Sequence, residues 1–386
     1  MPLRIALVAG ETSGDTLGAA LIDALRREFP QAEFAGVAGP KMKAAGCVAW
    51  HDIEALAVMG LTEVLTHLPR LMRLRRDLRR RILEWRPDVF IGVDYKEFNL
   101  GLAKQLKRAG LATVQYVSPQ VWAWRQGRVK TIGSSVDLVL CLFPFEPDFY
   151  REHGVRAAFV GHPLADQIPM HPDRAAARAE LGIDPAARIL AVLPGSRRGE
   201  VEKLADGFAG AAELLASRTR GLVTIAPMVT PALRDLFAAR CAVHAPKAQV
   251  RMLDGQARRA LAAADVVLVA SGTATLETAL FKRPMVVAYR LGAITAFLLR
   301  TLGLVKIKHF SQPNLLAGKE LVPEFFQEAA SPENLANALA RWLDEPAEVA
   351  RVQQEFEAIH AKLRCDGAER AATEIATLIA TRGAPA

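Results

Sequence analysis

The stretch Arg4-Ile5-Ala6-Leu7-Val8-Ala9-Gly10-Glu11-Thr12-Ser13-Gly14-Asp15 decides the fold. Residues 4–9 form a short, near-continuous apolar run, the pattern of a strand buried on both faces of a parallel sheet. Two glycines and several polar residues end the run, and an amphipathic helical pattern occupies 15–27. Ligands of doubly wound sheets sit outside the carboxyl ends of the strands, so this first turn already marks a place for one. The turn is not GxGxxG, and a dinucleotide fingerprint is therefore absent. Glu11, Ser13 and Asp15 cluster at the strand's carboxyl end. A tight turn in which Ser13 or Asp15 caps the helix is the alternative reading.

Outward from this unit the same alternation continues. Strand runs are expected at 33–38, 88–94, 112–117, 137–143 and 157–161, with helical patterns at 71–85 and 100–109. A proline-rich, polar pause at 162–173 reads as a linker. A second series follows, with strands at 188–193, 222–226, 249–253, 265–270 and 284–289 and helices at 199–216 and 273–281. Beyond Ser331 the pattern is helical almost to the end. The expectation is an α/β protein of two doubly wound, Rossmann-like halves facing a cleft, residues 1–165 and 175–345, with a helical C-terminal extension at 346–386.

Composition narrows the function. Of 386 residues, 51% are apolar and 23% charged, which excludes a disordered chain. Cys47, Cys141, Cys241 and Cys365 are scattered without a CxxC pair, which argues against a zinc ribbon and for a reducing compartment. The net charge is +8, and most of the excess lies between Arg70 and Arg86, where eight arginines face only Asp77 and Glu84. A local patch suits an anionic surface or substrate; nucleic acid is not expected as a partner. No secretory signal and no run of about 20 apolar residues is read, so the expected location is cytoplasmic.

Further motifs stand at strand ends. Asp94 follows the 88–93 run, where an acid is placed to accept a proton from a substrate hydroxyl. Lys96 and Glu97 are alternatives, and Asn99 is a candidate cap for the next helix. Ser118-Pro119-Gln120-Val121-Trp122-Ala123-Trp124-Arg125 offers two tryptophans beside an arginine, a sugar platform or plain packing. In the second half, Pro194-Gly195-Ser196-Arg197-Arg198 combines a glycine turn, a helix start and guanidinium groups, which together favour a diphosphate. Ser271-Gly272-Thr273 repeats the strand–turn–helix arrangement, and Glu277, one turn into the helix, is placed to accept both hydroxyls of a ribose. No Asp-x-Asp, HExxH or CxxC set is found, so neither a metal nor a cofactor is expected. His162 reads as a hydrogen-bonded structural histidine.

Two segments suggest a membrane surface. Leu61, Val64, Leu65 and Leu68 share a helical face that Pro69 is expected to break, and Leu71, Leu74, Leu78, Ile82 and Trp85 continue at helical spacing opposite the arginines. The apolar stretch 291–299 is flanked by Arg290, Arg300, Lys306 and Lys308. Apolar residues rimmed by basic ones fit an anionic lipid interface; a core helix with a solvated face is the alternative.

Taken in order, Gly10-Glu11-Thr12-Ser13-Gly14-Asp15, Gly39-Pro40 with Met59-Gly60, Asp94 with Phe98-Asn99, Tyr116 to Pro119 with Val121 to Arg125, Leu193 to Arg197, Ser271 to Ala274 and Pro313-Asn314-Leu315-Leu316-Ala317-Gly318 resemble the lipid-A-disaccharide synthase family. These are inverting glycosyltransferases of the GT-B fold, and the similarity runs from about Ile5 to about Cys365. The resemblance implies transfer of 2,3-diacylglucosamine from UDP-2,3-diacylglucosamine to 2,3-diacylglucosamine 1-phosphate (lipid X), forming a β-1,6 disaccharide 1-phosphate and UDP. It implies work at the cytoplasmic face of the inner membrane as a peripheral protein. It also implies a homodimer, with C-terminal segments that pack back or exchange between protomers. By resemblance Asp94 is the general base, Arg197 serves the donor phosphates, Asn314 belongs to an active-site motif, and Glu11 and Ser13 to the N-terminal substrate motif. Glu277 matches the ribose-binding acid of GT-B enzymes. The family often carries proline where Lys96 stands here, followed by Glu97, so Glu97 is a second candidate for the acid's work. The rival readings are another GT-B enzyme acting on UDP-N-acetylglucosamine, an epimerase or a transferase, and a non-catalytic membrane-associated binding protein.

Overall fold

The computed structural model describes residues 2–56, 61–124, 126–292 and 308–383. The chain forms two compact units, Met1–Asp166 with Leu363–Ala386, and Gln167–Lys362.

The first unit is built on β1 (Arg4–Ala9), β2 (Glu33–Ala38), β3 (Val48–Asp52), β4 (Val89–Val93), β5 (Ala112–Tyr116), β6 (Leu138–Cys141) and β7 (Ala157–Phe159), in the order β3-β2-β1-β4-β5-β6-β7. Every neighbouring pair is parallel. Ile5, Leu7, Val89, Ile91 and Leu138 are fully buried, because helices cover both faces of the sheet. Strand order reverses at β1 and β4, the crevice where ligands of such sheets bind. There Ala9 is in register with Val93, so the Gly10 turn and Asp94 leave the sheet side by side. The last helix, Gly367–Gly383, also belongs to this unit: Ala371, Ala372, Ile375 and Leu378 join its core. The helix Pro346–Leu363 lies almost wholly in the second unit. Residues 346–386 therefore do not act as a single extension.

The second unit carries β8 (Ile189–Leu193), β9 (Val223–Met228), β10 (Arg251–Asp254), β11 (Val266–Ala270), β12 (Met285–Tyr289) and β13 (Glu324–Phe326), in the order β10-β9-β8-β11-β12-β13. It too is wholly parallel. Its reversal falls between β8 and β11, where Leu193 pairs with Val269, so the turns after both strands emerge together.

One expectation fails in the helix Leu61–Trp85, which runs continuously through Pro69. Proline removes one N–H bond and crowds the carbonyl four residues back. The rest of a 25-residue helix offsets that loss. Leu78 and Ile82 are fully buried, with Leu71, Leu74 and Trp85 packed beside them, so this apolar stripe faces core. Only the opposite side presents the exposed Arg70, Arg73, Arg76 and Arg79. The side chains of Leu61, Val64, Leu65 and Leu68, the Met59-Gly60 motif and most of 291–299, with Arg300 and Lys306, lie outside the described residues. Among the described residues no helix is long and apolar enough to cross a membrane.

Candidate active site

In the first unit the groups of interest stand at the carboxyl ends of β1, β4 and β5. Glu11 is the extended N-cap of the helix Thr12–Glu28, and both Glu11 and Ser13 are exposed to solvent. Asp15 is buried, and it caps a helix other than its own. Its carboxylate accepts the N–H groups of Gly39 (3.0 Å), Lys41 (2.9 Å) and Met42 (3.0 Å) at the start of the helix Pro40–Ala44. A Cβ at Gly39 would strike that carboxylate at 2.5 Å, which explains why Gly39-Pro40 accompanies the first motif.

Asp94 is half-buried and its backbone is left-handed, with φ of 50°. Tyr95 is left-handed as well (φ 35°), and its ring presses against Gly10, leaving no room there for a Cβ. The Tyr95 hydroxyl donates to the Leu56 carbonyl at 3.0 Å. Burial raises its pKa, and the negative charge of Glu11 adds to the rise. Glu97, the second candidate for the acid, grips Arg128 through two contacts of 3.0 and 2.8 Å. That ion pair holds the carboxylate as an acceptor for a guanidinium. A small cavity of about 150 Å³ opens beside the pair, lined by Leu100, Pro119, Val121 and Ile132.

Asn99 does not cap a helix. It is buried in the first turn of Lys96–Arg108, where its amide donates to the carbonyls of Val8, Val93 and Asp94. Trp122 donates its indole N–H to the buried Glu146 (3.1 Å) and packs edge-on against Phe145 at 4.9 Å. It is thus committed to packing; Arg125 and the Trp124 side chain lie outside the described residues. Burial pushes the Glu146 carboxyl up to about 7. His162 accepts the Leu164 N–H, and burial pushes it down to about 4, as suits a neutral structural imidazole.

In the second unit a cavity of about 340 Å³ is lined by Gly195, Ser196, Arg197, Ser271, Gly272, Thr273 and Glu277. The structure therefore brings together every donor-side residue singled out in the sequence except Asn314. Arg197 projects into solvent, its side chain 84% exposed. Glu277 is mostly buried, which raises its pKa, and Arg258 lies 3.6 Å away. Two details differ from expectation. The N–H groups of Ser196 and Arg197 are taken by Glu200 Oε2, at 3.0 and 3.3 Å, so Glu200 caps this helix and its backbone donors are not free. The Ser271 hydroxyl donates to the Phe310 carbonyl at 3.1 Å. The Arg197 guanidinium also meets Glu200 Oε1 at 3.3 Å, but across a solvent-exposed side chain, so it and the start of the helix Thr273–Leu280 are the groups an anion could engage.

Asn314 does not line this cavity. It is fully buried; its oxygen accepts from Leu321 and Val322, and its amide donates to Val322 and Glu324. Glu324 in turn accepts the N–H groups of Phe310 and Ser311. Asn314 thus reaches the cavity only through Glu324 and the Phe310 carbonyl held by Ser271. Sequence reasoning missed this relay, and missed Glu146 and Glu200. Glu200 alone had a visible signal, an acid three residues into a helix start. Among the described residues no group of three or more His, Cys, Asp or Glu is arranged to hold a metal ion.

Comparison with known proteins places this geometry. Solved structures share the fold at low identity. The UDP-N-acetylglucosamine 2-epimerase of Neisseria meningitidis, bound to UDP-N-acetylglucosamine, superposes with a TM-score of 0.64 at 11% identity, covering 98% of this chain and 100% of that one. The glycotransferase of kitacinnamycin gives 0.60 at 18%, covering 98% and 99%. These likenesses establish a GT-B glycosyltransferase fold. Sequence relatives are far closer. The lipid-A-disaccharide synthase of Xanthomonas campestris pv. campestris (strain 8004) is 52% identical over 380 residues, 98% of this chain and 87% of the relative. That of Alkalilimnicola ehrlichii is 52% identical over 374 residues, 96% and 97%. Residues 5–375 match the family described as Lipid-A-disaccharide synthetase, a span that takes in both strand-end sites, and the chain belongs to that family of glycosyltransferases.

Proposed function

We propose that the chain transfers 2,3-diacylglucosamine from UDP-2,3-diacylglucosamine to the 6-hydroxyl of 2,3-diacylglucosamine 1-phosphate. In a single displacement the acceptor oxygen bonds to the donor's anomeric carbon from the face opposite UDP. The hydroxyl proton passes to the Asp94 carboxylate, and the C1–O bond breaks with its electron pair leaving on UDP. The product is the β-1,6 disaccharide 1-phosphate. Arg197 and the helix start at Thr273 stabilise the charge growing on the diphosphate, the charge neutralisation for which other transferases recruit a metal. Glu277 holds the ribose. The observation that carries this reading is the family match spanning both sites: a half-buried acid after β4 in one unit, and an arginine-bearing anion cavity after β8 and β11 in the other. Bound UDP-N-acetylglucosamine in the Neisseria relative supports a UDP-sugar in that cavity. The row Arg73, Arg76 and Arg79 supports a peripheral seat on an anionic bilayer, where the acylated sugars reside.

The test is purified protein with both acylated sugars, with and without EDTA, followed by UDP release and product mass. The disaccharide phosphate should form in both, and Asp94→Asn should lower turnover by about 10²–10⁴. Loss of turnover in EDTA would remove the metal-free step. Turnover of UDP-N-acetylglucosamine alone would favour an epimerase.

A further inference from the structure

We propose that Asn99 and Gln115 act as positioning residues for the reaction, a pair of buried amides that fixes the Asp94 carboxylate by clamping its backbone. The inference rests on Asp94 being the base.

Three non-glycine residues with positive φ stand together at the ends of β4 and β5: Asp94 (50°), Tyr95 (35°) and Val117 (75°). A β-branched residue such as valine is rarely found there, and clusters of this kind persist only where surrounding contacts impose them. The imposing contacts are the two amides. Asn99 Nδ2 donates to the Asp94 carbonyl at 3.0 Å and Gln115 Nε2 donates to the same oxygen at 2.9 Å. Asn99 also reaches back to Val8 and Val93, which ties the Asp94 turn to β1. Gln115 also reaches Tyr116 (3.2 Å) and Val117 (3.4 Å), which ties it to the strained turn after β5. The Asp94 N–H closes the unit on the Tyr116 carbonyl at 2.8 Å.

Stability alone does not account for these two residues. Both are fully buried, and among the described residues the oxygens Asn99 Oδ1 and Gln115 Oε1 have no hydrogen-bond partner in the protein. A buried, unpaired acceptor is costly, and an apolar side chain of similar shape would avoid it. What the amides supply that leucine or methionine cannot is a shared donor set on one backbone oxygen. Gly92 leaves room for them: a Cβ there would lie 2.7 Å from Asn99 Cβ and 3.1 Å from Gln115 Oε1.

The experiment compares Gln115→Met with wild type in the glycosyl-transfer assay, with circular dichroism melting and UDP binding as controls on folding. With the Gln115 donor gone the Asp94 carbonyl is held by Asn99 alone, the carboxylate loses its fixed direction, and kcat should fall by about 10- to 100-fold while both KM values stay within about threefold. Gly92→Ala keeps both amides but displaces them. It should show the same split, and it replaces the first variant should that one fail to fold. In an Asp94→Ala background Gln115→Met should add no further loss, because the clamp then has no carboxylate to aim. A folded Gln115→Met with kcat within twofold of wild type overturns the proposal, as does an equal extra loss on Asp94→Ala. If Asp94→Ala itself turns over normally, the assignment of the base has failed, an outcome distinct from failure of the clamp.

Discussion

Glu11 and Asp15 belong to one short motif, and the structure gives them opposite work, which a pair of substitutions separates. Asp15 is 1% exposed and holds three backbone N–H groups at 2.9–3.0 Å, two of them, from Gly39 and Met42, in fully buried bonds. Asp15→Ala strands those two donors, each at about 1–3 kcal/mol. The Lys41 N–H is partly exposed and recovers a bond to water. The side chain lost is small, so the cavity adds little, and the sum is about 2–6 kcal/mol. That is a large share of a marginal native stability. Asp15→Asn keeps one oxygen, able to hold the Gly39 and Met42 donors, and should lose about half as much. Glu11→Ala removes an exposed side chain whose carboxylate accepts no capping N–H, so its stability should stay within about 0.5 kcal/mol while transfer slows. Urea unfolding by fluorescence gives the first comparison and UDP release the second. If Asp15→Ala unfolds at the wild-type midpoint, the assignment of this carboxylate to the Pro40–Ala44 helix is wrong.

Other perturbations follow from the same geometry. Arg197→Ala removes an exposed guanidinium and should leave the melting temperature nearly unchanged while lowering kcat/KM by about 10²–10³, measured as UDP release at subsaturating donor. Glu146 bears on pH. Its carboxyl rises on folding from an ordinary 4.5 to about 7, so the native state holds a proton the unfolded chain has released. Its stabilisation is complete below about 4.5 and is lost as pH climbs through 7, a difference of about 3 kcal/mol. In urea titrations between pH 5 and 8 Glu146→Gln should lack this decline. Replacing Arg73, Arg76 and Arg79 together by serine should weaken binding to phosphatidylglycerol vesicles by about 10²-fold, at about 1 kcal/mol per arginine, and leave UDP binding intact. Equal binding to neutral vesicles by both proteins would deny the arginine row its role.

The sheets were legible because their strands are buried on both faces, which forces continuous apolar runs such as Ile5 to Ala9 and Val266 to Ala270. The two strands the sequence did not announce are both edges. In β3, Val-Ala-Trp-His-Asp is partly exposed throughout, and β13 has only three residues. An edge has one neighbour and needs no uniform apolar run, so the pattern that marks the interior is missing there. Strand-end turns were legible for a related reason: a glycine and polar residues directly after an apolar run have no place in a core.

What stayed hidden was the partner of each polar group. Asn314 and Ser271 carry side-chain types that could face a ligand, and only tertiary placement shows that Asn314 bonds to Glu324 and the Ser271 hydroxyl to the Phe310 carbonyl. Gln115 gave a weak signal, one amide inside the apolar strand Ala-Thr-Val-Gln-Tyr. A lone polar residue in such a run marks an interior demand for hydrogen bonds, and here the demand comes from the strained turns on either side of it. The chemistry of this chain thus divides between two kinds of residue. The strand-end groups proposed to meet a substrate, the exposed Glu11 and Arg197 and the half-buried Asp94, reach solvent, and buried polar groups behind them, Asp15, Asn99, Gln115 and Asn314, hold neighbouring backbone in place. Substitution should follow that division: the outer set changes rate with little change in stability, and the inner set changes stability, or changes rate only through the outer set.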